Sequence, residues 1–291
     1  PEPFQRRLSM NMSENGNDSS PNTWGSAEGG RLTEMILIAR AAGSHTLKYF
    51  GSASLHVDAK SDDSPVTVAD REAEQLARQM IGRSFPSDTI QGEEFAQQDG
   101  DSPYRWVIDP IDGTKSFVCG VPLYSTLLAL EKDNEPIAGV ILIPALGEIV
   151  VAASGRGCWY QKSDPAAETP SWSAARVSGR SELSDCVFVT SQIDSFAERG
   201  AESAYKTLER ECWITRTWGD GYGYLLVATG RADAMVDAIC NPWDVAAILP
   251  VMVESGGKFT DWKGNPTGRG GDGLGTNAAI HTRVAGILAC D

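Results

Sequence analysis

Four short segments of this sequence place carboxylates where an apolar run ends. Asp109 and Asp112 follow Trp106-Val107-Ile108 with Pro110 between them, Glu93 and Glu94 close "TIQGEE", Asp70 ends "TVAD", and Asp244 lies in "NPWD". Local capping accounts for part of this charge. Thr67 and Asp70 have capping-box spacing, while Asn241, Pro242 and Asp244 read as an N-cap, a first-turn proline and an acid favoured by the helix dipole. Glu93 and Glu94 on their own read as a solvated loop. The stretch from Asp109 to Gly113 resists such an account. Pro110 pushes Asp109 towards extended backbone and forbids a continuing helix, so the two aspartates are not neighbours on a solvated helix face. Carboxylates held together beside a buried strand repel and resist dehydration, which points to a cation between them. Gly113 permits a close turn, after which the Gly113 and Thr114 amides head the next segment in a geometry that suits phosphate. Carboxylates for a hard cation beside amides for an anion are the components of a metal-assisted phosphoryl site. A carboxylate nucleophile in a D-x-D-x-T stretch is the competing chemistry, but the spacing here is D-x-x-D-G-T.

The hydrophobic pattern gives the elements that must hold these groups. Arg31 to Phe50 and Val68 to Phe85 carry apolar residues at helical spacing. Strands are expected over Thr89 to Gln91, Arg105 to Asp109, Tyr124 to Glu131, Pro136 to Pro144, Glu148 to Ala153 and Gly157 to Tyr160, with Asp133-Asn134 and Leu146-Gly147 as turns. This half reads as helices on a largely antiparallel sheet. Beyond Val177 the pattern alternates: strand Cys186 to Thr190, helices Ser195 to Glu211 and Tyr222 to Gly230, strand Ala234 to Asp237, helix Pro242 to Ser255, strand Lys258 to Asp261 and a final helix after His281. The expected organisation is a disordered tail over 1–29, rich in Ser, Asn, Gly and Pro, an α+β half over 30–176 and an α/β half over 177–291. The Arg6-Arg7 pair of the tail is followed by no apolar stretch of a signal peptide.

Thirty-nine acidic residues against twenty-five basic ones give a net charge of -14, which opposes nucleic acid and anionic membrane surfaces as partners. No apolar run reaches the roughly 18 residues of a membrane span. Six cysteines lack C-x-x-C spacing and read as buried free thiols of a reducing compartment, the cytoplasm.

Taken in order, "SPVTVAD" (64–70), "GEE" (92–94), "WVIDPIDGTKSF" (106–117) and "NPWDVAAILPVMVESGG" (241–257) resemble the signature segments of the inositol monophosphatase superfamily, from about Arg31 to the C-terminus. The combination is specific, although "GEE" alone is not. "DGTKSF", "TWGDGYGYLLVATGRADAMVD" and "FTDWKG" are most similar to the histidinol-phosphate phosphatase branch. The resemblance implies a layered αβαβα sandwich, a homodimer, and two or three Mg2+ ions for which Mn2+ can substitute. It implies that Glu93, Asp109, Asp112 and the Ile111 carbonyl hold magnesium, that Asp244 joins Asp112 at a second ion, and that Asp70 faces the attacking water or a third ion. By the same resemblance Glu93 and Thr114 orient and deprotonate that water, the Gly113 and Thr114 amides take phosphate oxygens, and Lys60 belongs to a mobile loop near the site. Asp220 and Asp237 match positions that contact the alcohol, with Arg216 one step upstream. Two carboxylates suit an amine or imidazolium better than a neutral polyol. The expected activity is therefore magnesium-dependent hydrolysis of L-histidinol phosphate, a small phosphate monoester, in histidine biosynthesis. Its rivals are an inositol-1-phosphate or broad sugar-phosphate phosphatase and a catalytically silent metal-binding regulatory protein. The intact water-orienting pair argues against silence.

Overall fold

The computed structural model describes residues 20–52, 57–59, 65–163 and 171–289. Helix α1 (Arg31–Thr46) buries Leu32, Met35, Ala39 and Ala42 along one stripe. A small antiparallel ribbon of β1 (Val57–Ala59) and β2 (Pro65–Thr67) leads into α2 (Val68–Ser84), which buries Ala73, Ala77 and Ile81 at one-turn spacing. Both helices cover one face of a seven-stranded sheet in the order β3-β4-β5-β6-β7-β8-β9, comprising Thr89–Gly92, Tyr104–Asp112, Ser125–Lys132, Glu135–Ile143, Glu148–Ala153, Cys158–Lys162 and Ser173–Ala174. Only β3 and β4 run parallel; the other pairs are antiparallel. The β5–β6 hairpin turns on Asp133 and Asn134, at φ 53° and 70°, the left-handed pair that a tight hairpin of native twist requires.

Strand alternation sorts the core. Trp106, Ile108, Leu128, Leu130 and Val140 face α1 and α2, whereas Val107, Leu127, Ala129 and Ile141 face the interior of the molecule. There they meet α6 (Gly221–Ala228) and α8 (Ile248–Glu254), which also pack on one face of a second sheet. Its order is β11 (Ile214–Arg216), β10 (Val187–Val189), β12 (Ala234–Asp237), β14 (Gly273–Asn277) and β13 (Gly257–Thr260). Phe188, Val236 and Leu274 point to its far face, under α4 (Asp194–Glu198), α5 (Glu202–Glu211) and α9 (His281–Leu288). The result is the expected αβαβα layering. Two one-turn helices, α3 (Thr114–Val118) and α7 (Pro242–Val245), sit at strand ends.

Several expectations need correction. The helix expected over 195–211 breaks at Gly200, φ 80°. The one expected over 242–255 is interrupted after Val245, where Pro250 offers no amide to the Ala246 carbonyl. Strand β14 was unexpected in a Gly-rich stretch; Gly273 and Gly275 lie so close to Tyr224 that a Cβ on either would crowd its ring or hydroxyl. The disordered tail does not extend to residues 20–29: Trp24 is 1% exposed within the α1/α2 core, and Glu28 accepts hydrogen bonds from Tyr104 and Lys132. Residues 1–19 and Lys60 lie outside the described residues. The described cysteines are free, but Cys119 is exposed rather than buried. Among the described residues no helix is long and apolar enough to cross a membrane.

Candidate active site

Strand β4 does not stop at Asp109. Its pairing with β5 slips between Asp109 and Asp112, where Pro110 has no amide for the ladder. Within this bulge Asp109 Oδ1 accepts the Ile111 amide at 3.1 Å, and Thr114 Oγ1 donates to the Ile111 carbonyl at 3.1 Å. Asp112 Oδ2 accepts the Gly221 amide at 2.6 Å and the Ser125 hydroxyl, so the first amide of α6 and a side chain of β5 clasp it from two sides. Asp244 arrives from α7, where its Oδ2 accepts the Asn241 amide at 2.6 Å. Carboxylate oxygens of Asp109, Asp112 and Asp244 lie within 4.8 Å of one another.

Asp70 starts α2 as a cap, its Oδ2 accepting the Thr67 amide at 2.8 Å and hydroxyl at 2.6 Å. Its other oxygen is buried without a hydrogen-bond partner. Glu93 follows β3, with its amide donating to the Ile108 carbonyl at 3.2 Å, which keeps it beside the strand that carries Asp109. Burial, then the charges of Glu93, Asp112 and Asp244, push Asp109 well above the usual carboxylate range; burial, then Asp220 and Asp244, do the same to Asp112. Burial, reinforced by Glu93, Asp237 and Asp220, raises Asp244 to about 7, and burial raises Asp70 as well. An all-oxygen donor set, mutually repelling and with one buried oxygen still unpartnered, fits a hard divalent cation.

A cavity of about 40 Å³ adjoins this cluster, lined by Asp112, Asp220, Asp237, Asp244, Ser191 and Tyr224 among others. Asp237 Oδ1 accepts the Ser191 hydroxyl at 2.6 Å and Oδ2 the Tyr224 hydroxyl at 2.8 Å; burial lifts its pKa to about 6. Asp220 precedes α6 and reaches towards the Gly113 turn, where φ is 82° and any Cβ would collide with its Oδ2. Asp220 therefore stands beside the Gly113 turn as well as in the cavity. Arg216, the last residue of edge strand β11, is exposed, donates from Nη1 to the Thr215 carbonyl at 2.7 Å, and is not among the residues lining this cavity. Lys115, next to the Gly113 turn, donates from Nζ to Gln192 Oε1 at 2.5 Å.

The profile of the inositol monophosphatase family matches residues 31–290. The chain belongs to the inositol monophosphatase family. It is 41% identical over 252 residues to the histidinol-phosphatase of Chlorobaculum parvum, covering 86% of this chain and 93% of that protein. It is 31% identical to the fructose-1,6-bisphosphatase/inositol-1-monophosphatase of Thermotoga maritima, covering 89% and 95%. Its fold matches the extragenic suppressor protein suhB of Bartonella henselae with a TM-score of 0.80 at 27% identity, over 89% of this chain and 98% of that one. Membership makes this protein a phosphoric monoester hydrolase. Sequence reasoning missed the parts that hold the family's acidic residues still, namely Ser125, Gly221, Ser191 and Tyr224. Nothing local in the sequence marks these four as partners of carboxylates distant in the chain.

Proposed function

We propose that this family member is a magnesium-dependent histidinol-phosphatase, acting in the cytoplasm as a homodimer. The observation that carries the substrate reading is the pair Asp220 and Asp237, two carboxylates lining the cavity next to the acidic cluster; the 41% identity to a histidinol-phosphatase supports it. Glu93, Asp109, Asp112, Asp244 and the Ile111 carbonyl would hold Mg2+, with Asp70 at the margin. Bound there, magnesium neutralises the carboxylates, offsets phosphate charge and makes water more acidic. Glu93 takes the proton of the attacking water, and the Thr114 hydroxyl, oriented by the Ile111 carbonyl at 3.1 Å, fixes where that water stands. The Gly113 and Thr114 amides donate to phosphate oxygens. Asp220 and Asp237 accept from the ammonium and imidazole of the leaving alcohol; hydroxyl donors from Ser191 and Tyr224 occupy one lone pair on each Asp237 oxygen and leave another for substrate.

A panel of phosphate monoesters at fixed magnesium tests this. Histidinol phosphate should give the highest kcat/KM, and Asp220→Asn or Asp237→Asn should lower it for that ester by about 1–3 kcal/mol while sparing neutral sugar phosphates. A wild type that prefers inositol-1-phosphate, or variants that lose all esters equally, would make this a broad sugar-phosphate phosphatase instead.

A further inference from the structure

The segment Gly92–Phe95, which carries Glu93, has no secondary structure of its own beyond its first residue, yet it is held from two directions. On one side Glu93 donates its amide to the Ile108 carbonyl of β4 at 3.2 Å. On the other lies the α2 face that begins with Asp70 and continues at one-turn spacing through Glu74 and Arg78. Glu74 is fully buried. Its Oε2 accepts the Glu94 amide at 2.7 Å, its Oε1 accepts Arg78 Nε at 2.7 Å, and the Phe95 amide adds a further bond to the same carboxylate. Arg78 in turn donates from Nη2 to the Phe95 carbonyl at 3.0 Å and lies 5.8 Å from the centre of the Phe95 ring. The carboxylate sits so tightly under the turn that a Cβ on Gly92 would overlap it. A buried carboxylate with an arginine on one oxygen and backbone amides on the other is a rigid post, and it stands immediately on either side of Glu93 in the chain.

We infer that Glu74, backed by Arg78, is a positioning residue that sets the place of Glu93 against Asp109 and Asp70. The inference rests on the reading of Glu93 as metal ligand and proton acceptor. Its physical content is that loop geometry is imposed by helix α2, so the helix that supplies Asp70 also determines where the carboxylate facing it stands. Small misplacements of such a group are costly, with losses of up to about a hundredfold for an ångström. Glu74→Gln preserves shape and can still accept the Glu94 amide, but its amide nitrogen cannot accept from Arg78.

Three variants of the full chain decide the matter, each measured for melting temperature without metal, for the rise in melting temperature on adding Mg2+, and for kcat. Glu74→Gln is expected to shrink the magnesium-induced rise, raise the half-saturating magnesium concentration several-fold and lower kcat about tenfold or more. Arg78→Gln, which leaves the buried carboxylate in place, is expected to move the same three quantities in the same direction by less, and it stands in if Glu74→Gln does not fold. Glu93→Gln is the reference. If Glu93→Gln changes kcat while folded Glu74→Gln and Arg78→Gln keep the wild-type magnesium response and kcat within about twofold, the positioning role is overturned. If Glu93→Gln is itself indistinguishable from wild type, the reading of Glu93 falls and the inference with it.

Discussion

Buried carboxylates in two parts of this molecule are treated in opposite ways. Away from the acidic cluster most of them meet arginine: Asp88 meets Arg31 at 2.7 Å, Asp233 meets Arg180 at 2.9 Å, Glu148 meets Arg231 at 2.7 Å, and Glu131 meets Arg105 at 2.9 Å and Arg269 at 3.0 Å. Within the cluster the buried Asp109, Asp112 and Asp237 and the half-buried Asp244 accept from amides and hydroxyls, and among the described residues none forms an ion pair with Arg or Lys. The consequence shows in their acidity. Burial raises Asp88 and Glu148, but hydrogen bonds and charge from Arg31 and Arg231, with help from neighbouring donors, more than offset it and leave both below their ordinary values. Burial raises Asp109, Asp112 and Asp244 with nothing comparable to oppose it. The arginine-paired regions are electrically complete once folded, whereas the cluster, in the proposed function, is completed by a cation from solution. Binding and catalysis draw on that unmet charge, and structure draws on the met kind.

The contrast can be broken by making one chemical change in both places. Asp112→Asn is expected to fold and to lose turnover by about a hundredfold or more at saturating magnesium, because a charged ligand is gone. Asp233→Asn should do the reverse. It leaves Arg180 without its carboxylate and weakens the bond to the Val187 amide, 2.7 Å in the wild type, so it should cost roughly 3–5 kcal/mol of stability in denaturant melts while the folded fraction keeps its kcat. Equal stability losses in both variants would erase the distinction. A purely structural reference is Trp24→Ala, which should cost about 3–5 kcal/mol because the ring is 1% exposed in the core; a neutral result would show that residues 20–29 are dispensable after all.

A smaller effect sharpens the comparison through pH. Asp244 titrates near 7 and Asp237 near 6 in the fold, against an ordinary aspartate value of about 3.9 in the unfolded chain. The folded state therefore holds protons that the unfolded chain gives up. Metal-free stability should be highest below about pH 4 as far as these two groups are concerned, fall as pH rises towards 7, and level off beyond. Metal-free protein should accordingly melt lower near about pH 8 than near about pH 5, and added magnesium should stabilise it more at the higher pH, where carboxylates need not first lose protons. A magnesium effect independent of pH would mean that the cluster does not hold the ion.

The acidic cluster was legible because D-x-x-D-G-T with an internal proline admits few innocent conformations, and the bulge at Pro110 does gather Asp109 and Asp112. For Asp70 and Asp244 the capping and ligand readings compete, yet both groups cap a helix while Asp244 also joins the cluster and Asp70 feels the charge of Glu93. A carboxylate has two oxygens, and Asp70 caps with one while the other stays unpartnered. What stayed illegible depends on contacts distant in the chain. Asp112 is clasped by Gly221, 109 residues on, and no local pattern announces such a partner. Glu74 carries no signal of its own, because nothing nearby in sequence says that its side of α2 is covered by the Gly92–Phe95 turn. Strand β11, which ends at Arg216, was not foreseen either, because its three residues pair only with β10 at the sheet edge. Trp24 lay in a stretch whose composition outweighed a single buried ring.

Repulsion among Asp109, Asp112 and Asp244 is what a bound divalent cation would relieve. The most direct measurement is thermal melting of wild type and Asp112→Asn at about pH 8, first in chelator and then through a magnesium titration. The asparagine oxygen can still accept from Gly221 and Ser125, so the clasp survives while one negative charge is removed. The metal-free variant should melt at or above the metal-free wild type, and magnesium should raise the wild type substantially and the variant little. A variant that melts well below wild type without metal, with magnesium raising both alike, would contradict the account.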